Sequence, residues 1–310
     1  MPTEVETITI EEPILRTSCA LGEGPFFSLS TGKLRFVDIF RKEIHFFNPT
    51  TKDHTFHTVP DSVGVTADIR GSTDPNRFIV AAKLGFAVYD HSKPDALEYI
   101  AKVHDNSDDA EQLRFNDGAV DAKGRFWAGT ISDFHVGEPE NVGAIWKLDT
   151  DLKPVKVLSP ITIPNGIAWS PDNKWMYLTD SMHPDRVMHK YPFDLEAGTL
   201  GDKPEDFFRL PEEIEGVIDG CAVDENGDVW AAVHDGEVVV QISGETGALK
   251  KVIRLKGAKK VTCPVFDGFG GMYVTTAGGG EDAESQVSGS LWKLNVGVKG
   301  LPKYEFAGKV

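Results

Sequence analysis

The stretches DAKGRFWAGT (121–130) and DENGDVWAAV (224–233) share one layout: an Asp-headed turn closed by Gly, then a strand of aromatic and small or β-branched residues. Four others repeat it with looser turns: STGKLRFVDI (30–39), TDPNRFIVAA (73–82), SPDNKWMYLTD (170–180) and DGFGGMYVTT (267–276). Turn residues leading into a short apolar run read as a hairpin and its second strand. The motif recurs at intervals of roughly 43 to 54 residues, the span of a four-stranded propeller blade. The spacing predicts an all-β, six-bladed β-propeller with four antiparallel strands per blade, one domain over 1–310. In such a ring every inner strand begins at one central channel, so residues distant in sequence meet there.

Aligning the repeats on their turns shows which residues these would be. Five positions upstream of the last four turns stand Asn116, Asn165, Asp219 and Thr262. The first two repeats have longer approaches, with Glu23 and Val65 seven and eight positions upstream. Any one polar residue beside a Gly is an ordinary turn or cap residue. The shared register sets this group apart. Two carboxylates and two amides converging on one axis are costly to desolvate without a counter-charge, and a bound cation is the simplest remedy. Oxygen ligands point to calcium, magnesium or manganese, with zinc or ferrous iron less favoured.

Composition narrows the partners. A net charge of −16 argues against nucleic acid and anionic membrane surfaces, which need basic clusters. The one compact basic group, between Lys250 and Lys260, reads as the solvated face of outer strands. No apolar run reaches the roughly 18 residues of a membrane span. The first residues, MPTEVETITIEEP (1–13), lack the basic leader and apolar core of a signal peptide. Cys19, Cys221 and Cys263 have no metal-type spacing and leave one thiol unpaired in any disulfide scheme. A reducing, cytoplasmic setting is the expectation.

Between the repeats, HDNSDDAEQ (104–112) reads as a solvated acidic loop, and SDFHVGEPENVG (132–143) as an insertion able to overhang the channel. The N-terminal stretch ETITIEEPILRT (6–17) is predicted to add a strand to the last blade and close the ring. SLWKLNV (290–296) and YEFAGKV (304–310) are read as the end of blade six.

Five motifs, in order along nearly the whole chain, give it a family likeness: LGEGP (21–25), RFNDG (114–118) with the following D-x-x-G-R-F-W-A-G-T, PNGIAWS (164–170), DGCAVDENGDVWAA (219–232) and GVKGLPKYEFAG (297–308). In these it resembles the regucalcin/gluconolactonase family of six-bladed propellers, also called the senescence marker protein family. The resemblance implies a sugar lactonase with one divalent cation, calcium first, held by Glu23, Asn165 and Asp219. It implies Asn116 beside them and Arg114 as a substrate contact. In animal members a carboxylate pair follows the G-T step and helps hold sugar hydroxyls. Here Ile131, Ser132, Asp133 and Phe134 follow it, so Asp133 is expected to keep half of that role while Phe134 cannot hydrogen-bond.

On this reading the cation polarises the lactone carbonyl, Asp219 acts as general base, Arg114 orients the substrate and Asn116 positions it. The alternative for Arg114 is a structural salt bridge to Asp117 or Glu111. Phosphotriester hydrolysis and a non-catalytic propeller that binds calcium or a protein partner are the competing functions. There is no G-x-S-x-G elbow for a serine hydrolase and no H-E-x-x-H for a histidine zinc site. His183 is read as a surface-loop histidine with a smaller chance of aiding proton transfer at the channel mouth.

Overall fold

In four of the six repeats the turn is held by its first side chain. In a computed structural model describing residues 5–279 and 285–310, Asp121 Oδ1 accepts the amides of Lys123 and Arg125 at 2.9 and 3.1 Å. Its Oδ2 accepts Trp127 Nε1 at 2.8 Å. Asp224 does the same for Asn226, Asp228 and Trp230 at 2.9, 3.0 and 2.9 Å. Asp267 takes the amides of Phe269 and Gly271, and Ser170 Oγ takes that of Trp175. A buried acid that closes the hairpin and anchors the next strand's indole explains why Asp, Gly and Trp keep their spacing. Gly124 and Gly227 both lie at φ +89°, a conformation that favours glycine.

These hairpins build six antiparallel sheets. The inner strands are Gly22–Ser28, Val63–Asp68, Leu113–Val120, Pro164–Trp169, Val217–Val223 and Val261–Phe266. Each neighbours the next and the last neighbours the first, so the sheets form the ring of a six-bladed propeller. The core lies between the blades, where Trp127, Trp230 and Trp292 are fully buried.

Every inner strand shifts register against its partner near its start: between Glu23 and Phe26, Val63 and Val65, Phe115 and Gly118, Asn165 and Ala168, Ile218 and Cys221, and Val261 and Cys263. A bulge turns consecutive side chains out of strict alternation and re-aims them. All six bulges fall at or beside the aligned residues, which is what converts the sequence repeat into a channel lining.

The chain ends differ from the sequence reading. Residues Glu6–Ile10 form a strand, but it lies parallel to Leu249–Leu255 at the edge of blade five, not in the last blade. The residues after it reach blade six: Ile14 and Leu15 bond the backbone of Leu291 beside the strand Trp292–Asn295, and Thr17 Oγ1 donates to the Gly289 carbonyl at 2.6 Å. A five-residue backbone ladder and the packing of Ile10 on the core hold the strand on blade five, and the surface pairs of Lys251 with Glu6 at 3.0 Å and Lys256 with Glu11 at 2.6 Å complement it.

YEFAGKV is not part of blade six. The tail runs from Gly300, bridged to Asp224 in blade five, to Phe306, bridged to Ile69 in blade two. It crosses the end of the channel opposite the bulges, and Phe306 is fully buried there. The acidic stretch expected as a loop contains a short helix, Ser107–Gln112, capped by Asn106 Oδ1 on the Asp109 amide at 2.8 Å. All three cysteines are free and buried. Among the described residues no helix is long and apolar enough to cross a membrane.

Candidate metal and substrate site

At the bulged end of the channel Glu23, Asn116, Asn165 and Asp219 are all buried. Asn116 Nδ2 donates to Asn165 Oδ1 at 2.8 Å. Asn165 Nδ2 donates to Ser181 Oγ at 2.9 Å, and Ser181 in turn donates to the Ile218 carbonyl at 2.6 Å. These bonds fix the Asn165 amide with its oxygen toward Asn116, leaving one lone pair of that oxygen for another partner. The sixfold register is not carried through in full. Thr262 turns its hydroxyl to the Gly22 carbonyl and Thr275 Oγ1, and Val65 joins the apolar core.

Arg114 joins the cluster from the rim side. Its Nη1 donates to Asn116 Oδ1 and the Phe115 carbonyl, both at 3.0 Å. Its Nε stands 3.5 Å from Asp133 Oδ1, an ion pair too long for a good hydrogen bond. Asp133 also meets Lys83 and His135, each at 3.1 Å. The pairing expected as an alternative, with Asp117 or Glu111, is therefore replaced by Asp133. His183 lies in a surface turn, its Nδ1 accepting the Asp185 amide at 3.2 Å.

Two residues escaped the repeat alignment. Ser181, which orients Asn165, follows a second strand and carries no signal of its own. Asp117 is next to Asn116 and, in a regular strand, would face the other way. The bulge between Phe115 and Gly118 brings both into the interior. Asp117 accepts the amides of Gly118 and Ile167 at 2.7 and 3.3 Å.

The electrostatics follow from burial. Glu23 is pushed up to about 8, first by desolvation and then by Asp117. Asp219 is pushed well above the carboxylate range by burial, Glu23 and Asp117, in that order. Burial also raises Asp117 and lowers Arg114 to about 10. Asp219 Oδ1 is buried without a hydrogen-bond partner. An orphaned carboxylate oxygen, a second repelled carboxylate and an oriented amide oxygen fit a hard divalent cation. Among the described residues no three His, Cys, Asp or Glu side chains form a metal-holding group. This set differs in depending on an amide.

Residues 21–278 match the family described as SMP-30/Gluconolactonase/LRE-like region. A Bacillus subtilis protein named "Putative sugar lactone lactonase YvrE" is 32% identical over 301 residues, covering 95% of this chain and 97% of that one. Regucalcin of Oryctolagus cuniculus is 30% identical over 306 residues, covering 96% and 98%. The solved structure of a luciferin-regenerating enzyme superposes with a TM-score of 0.83 at 29% identity, covering 96% of this chain and 100% of that one.

Proposed function

The chain belongs to the SMP-30/gluconolactonase/LRE-like family, and from that premise we propose that it hydrolyses a sugar lactone to the open-chain aldonic acid. One divalent cation, calcium first, would be held by Glu23, Asn165 and Asp219. The observation that carries this reading is the orphaned Asp219 oxygen beside a raised Glu23, linked through Asn165, Asn116 and Arg114 to an open cavity at the rim. The names of the Bacillus and rabbit relatives support the lactone and the family, respectively.

When bound, the cation supplies a Lewis acid for the lactone carbonyl and offsets the charge of the carboxylates. Arg114 directs its unpaired Nε and Nη2 at substrate oxygens. Asn116, with both ends of its amide engaged, holds that guanidinium in register with Asn165. The Asp219 carboxylate takes a proton from water as the water oxygen adds to the carbonyl carbon. The bond from that carbon to the ring oxygen then breaks, and Asp219 returns the proton to the departing alkoxide. The raised proton affinity of Asp219 belongs to the metal-free chain; a bound cation would lower it and keep the carboxylate ionised, able to accept the proton.

The test is proton release from five- and six-membered aldonolactones by chelator-stripped protein, with calcium, magnesium, manganese, zinc and ferrous iron returned in turn. Turnover restored by one of these is the expected result. No turnover on any lactone with metal binding intact moves the reading to phosphotriesters or to a calcium-binding role.

A further inference from the structure

Beside the candidate metal site, between blades one, two and three, lies a cavity of about 630 Å³. That is within the roughly 300–1,000 Å³ of small-molecule sites. Arg114 forms its inner wall, so whatever occupies it is continuous with the channel head. Phe40 and Phe134 form its outer wall, edge to face with centroids 6.1 Å apart. Their rings lie 5.8 and 5.4 Å from the Arg114 guanidinium carbon.

The hydrogen-bonding capacity of this wall is one-sided. Its two acids are engaged: Asp133 by Arg114, Lys83 and His135, and Asp61 by the Tyr99 hydroxyl at 2.7 Å. What stays buried without a hydrogen bond is Arg114 Nη2, the hydroxyl of Ser62 and Arg114 Nε, the last held only by the 3.5 Å ion pair with Asp133. Arg114 is 1% exposed and Ser62 7%. Lys42 and Lys83 add two ammonium groups to the lining. Three cations thus face two acids, in a chain whose net charge is −16. A neutral polyol hydroxyl brings a donor with each acceptor, and the one carboxylate oxygen of the wall outside these pairings is Asp61 Oδ1, too little to take a polyol's donors. An oxyanion brings acceptors alone and meets a locally positive patch in an acidic molecule.

We infer that this cavity is a subsite for an oxyanion, a carboxylate or phosphate borne on the lactone's end remote from the reacting carbonyl, gripped by Arg114, Ser62 and Lys83. The inference rests on the lactonase reading for the reacting end and on the cavity alone for the remote end. Phe40 and Phe134 then cover the carbon skeleton between the two.

Calorimetric titration of the calcium-loaded chain with open-chain acids tests the subsite apart from turnover. Gluconate ends in a hydroxyl, glucarate in a carboxylate and phosphogluconate in a phosphate. Glucarate or phosphogluconate is expected to bind at least about 10-fold more tightly than gluconate. The preferred one identifies the anion. In Lys83→Met and Ser62→Ala that ratio should collapse toward one. Ser62→Ala removes a single oxygen, so it keeps the test valid if Lys83→Met does not fold. Equal binding of all three acids, or a ratio that survives both substitutions, overturns the subsite. Lactone turnover is read in parallel. Discrimination among the acids without turnover sinks the lactonase reading and upholds the subsite, whereas turnover without discrimination does the reverse.

Discussion

Glu23, Asp219 and Arg114 divide the work at the residue scale, and each can be tested alone. Asp219→Ala removes a ligand and the proposed base together, so turnover should vanish; near-normal activity with metal present would exclude the assignment. Glu23→Gln keeps the shape and one oxygen but loses the charge. Metal affinity should fall, with activity partly recovered at high metal concentration, and an unchanged metal titration would count against Glu23 as a ligand. Arg114→Ala should lower kcat/KM by about 10- to 200-fold, the equivalent of about 1–3 kcal/mol. An unaltered value would leave Arg114 as a partner of Asp133 and nothing more. At this scale most of the cluster was legible, because Glu23, Asn116, Asn165 and Asp219 share a position in the repeat. Asp117 was not, since alternation alone sends it to the opposite face of its strand.

Three of the six repeated hairpins are headed by a buried acid, Asp121, Asp224 or Asp267, and the stability it gives is local. Asp224 is fully buried and accepts two amides and the Trp230 indole. Asp224→Ala leaves a buried indole N–H and two turn amides unpaired, so urea denaturation should show a loss of about 2–4 kcal/mol. A loss below about 0.5 kcal/mol would mean that water replaces the carboxylate. The turns were readable because Asp, Gly and Trp stand at fixed offsets. The bulges were not, since no residue type marks them; Gly24 and Gly166, at φ +52° and +63°, are the nearest signals.

Over the whole molecule, buried groups that bind protons differently in the folded and unfolded chain set the response to acid. On blade one His45 is buried, stacked on Phe36 at 4.7 Å, with Nδ1 2.9 Å from His54 Nε2 and Nε2 3.1 Å from Glu43. Burial first, then His54, pushes it from 6.5 down to about 3. The unfolded chain therefore takes up this proton well before the folded one. Its contribution to stability is complete above about pH 6.5 and is lost as the pH falls toward 3. The unfolding free energy of the wild type should drop over that window by more than that of His45→Phe, a difference of about 1–3 kcal/mol read from urea denaturation at each pH. Parallel pH profiles for the two proteins would rule His45 out as a source of acid sensitivity.

Period and turn chemistry sufficed for the propeller and for the channel residues, because both are local patterns repeated along the chain. The family likeness rested on the same stretches. Long-range partners were decided only in three dimensions. The N-terminal strand joined blade five, not blade six, where the edge strand Leu249–Leu255 offered a backbone ladder and Ile10 an apolar place. The C-terminal tail, apolar and alternating like a strand, instead crossed the far end of the channel, where Phe306 found a buried place between blades two and three. Asp133 was expected to face sugar hydroxyls; the folded chain surrounds it with Arg114, Lys83 and His135. Strand periodicity specifies which face a residue takes, but which charges and apolar surfaces lie opposite depends on segments tens to hundreds of residues away.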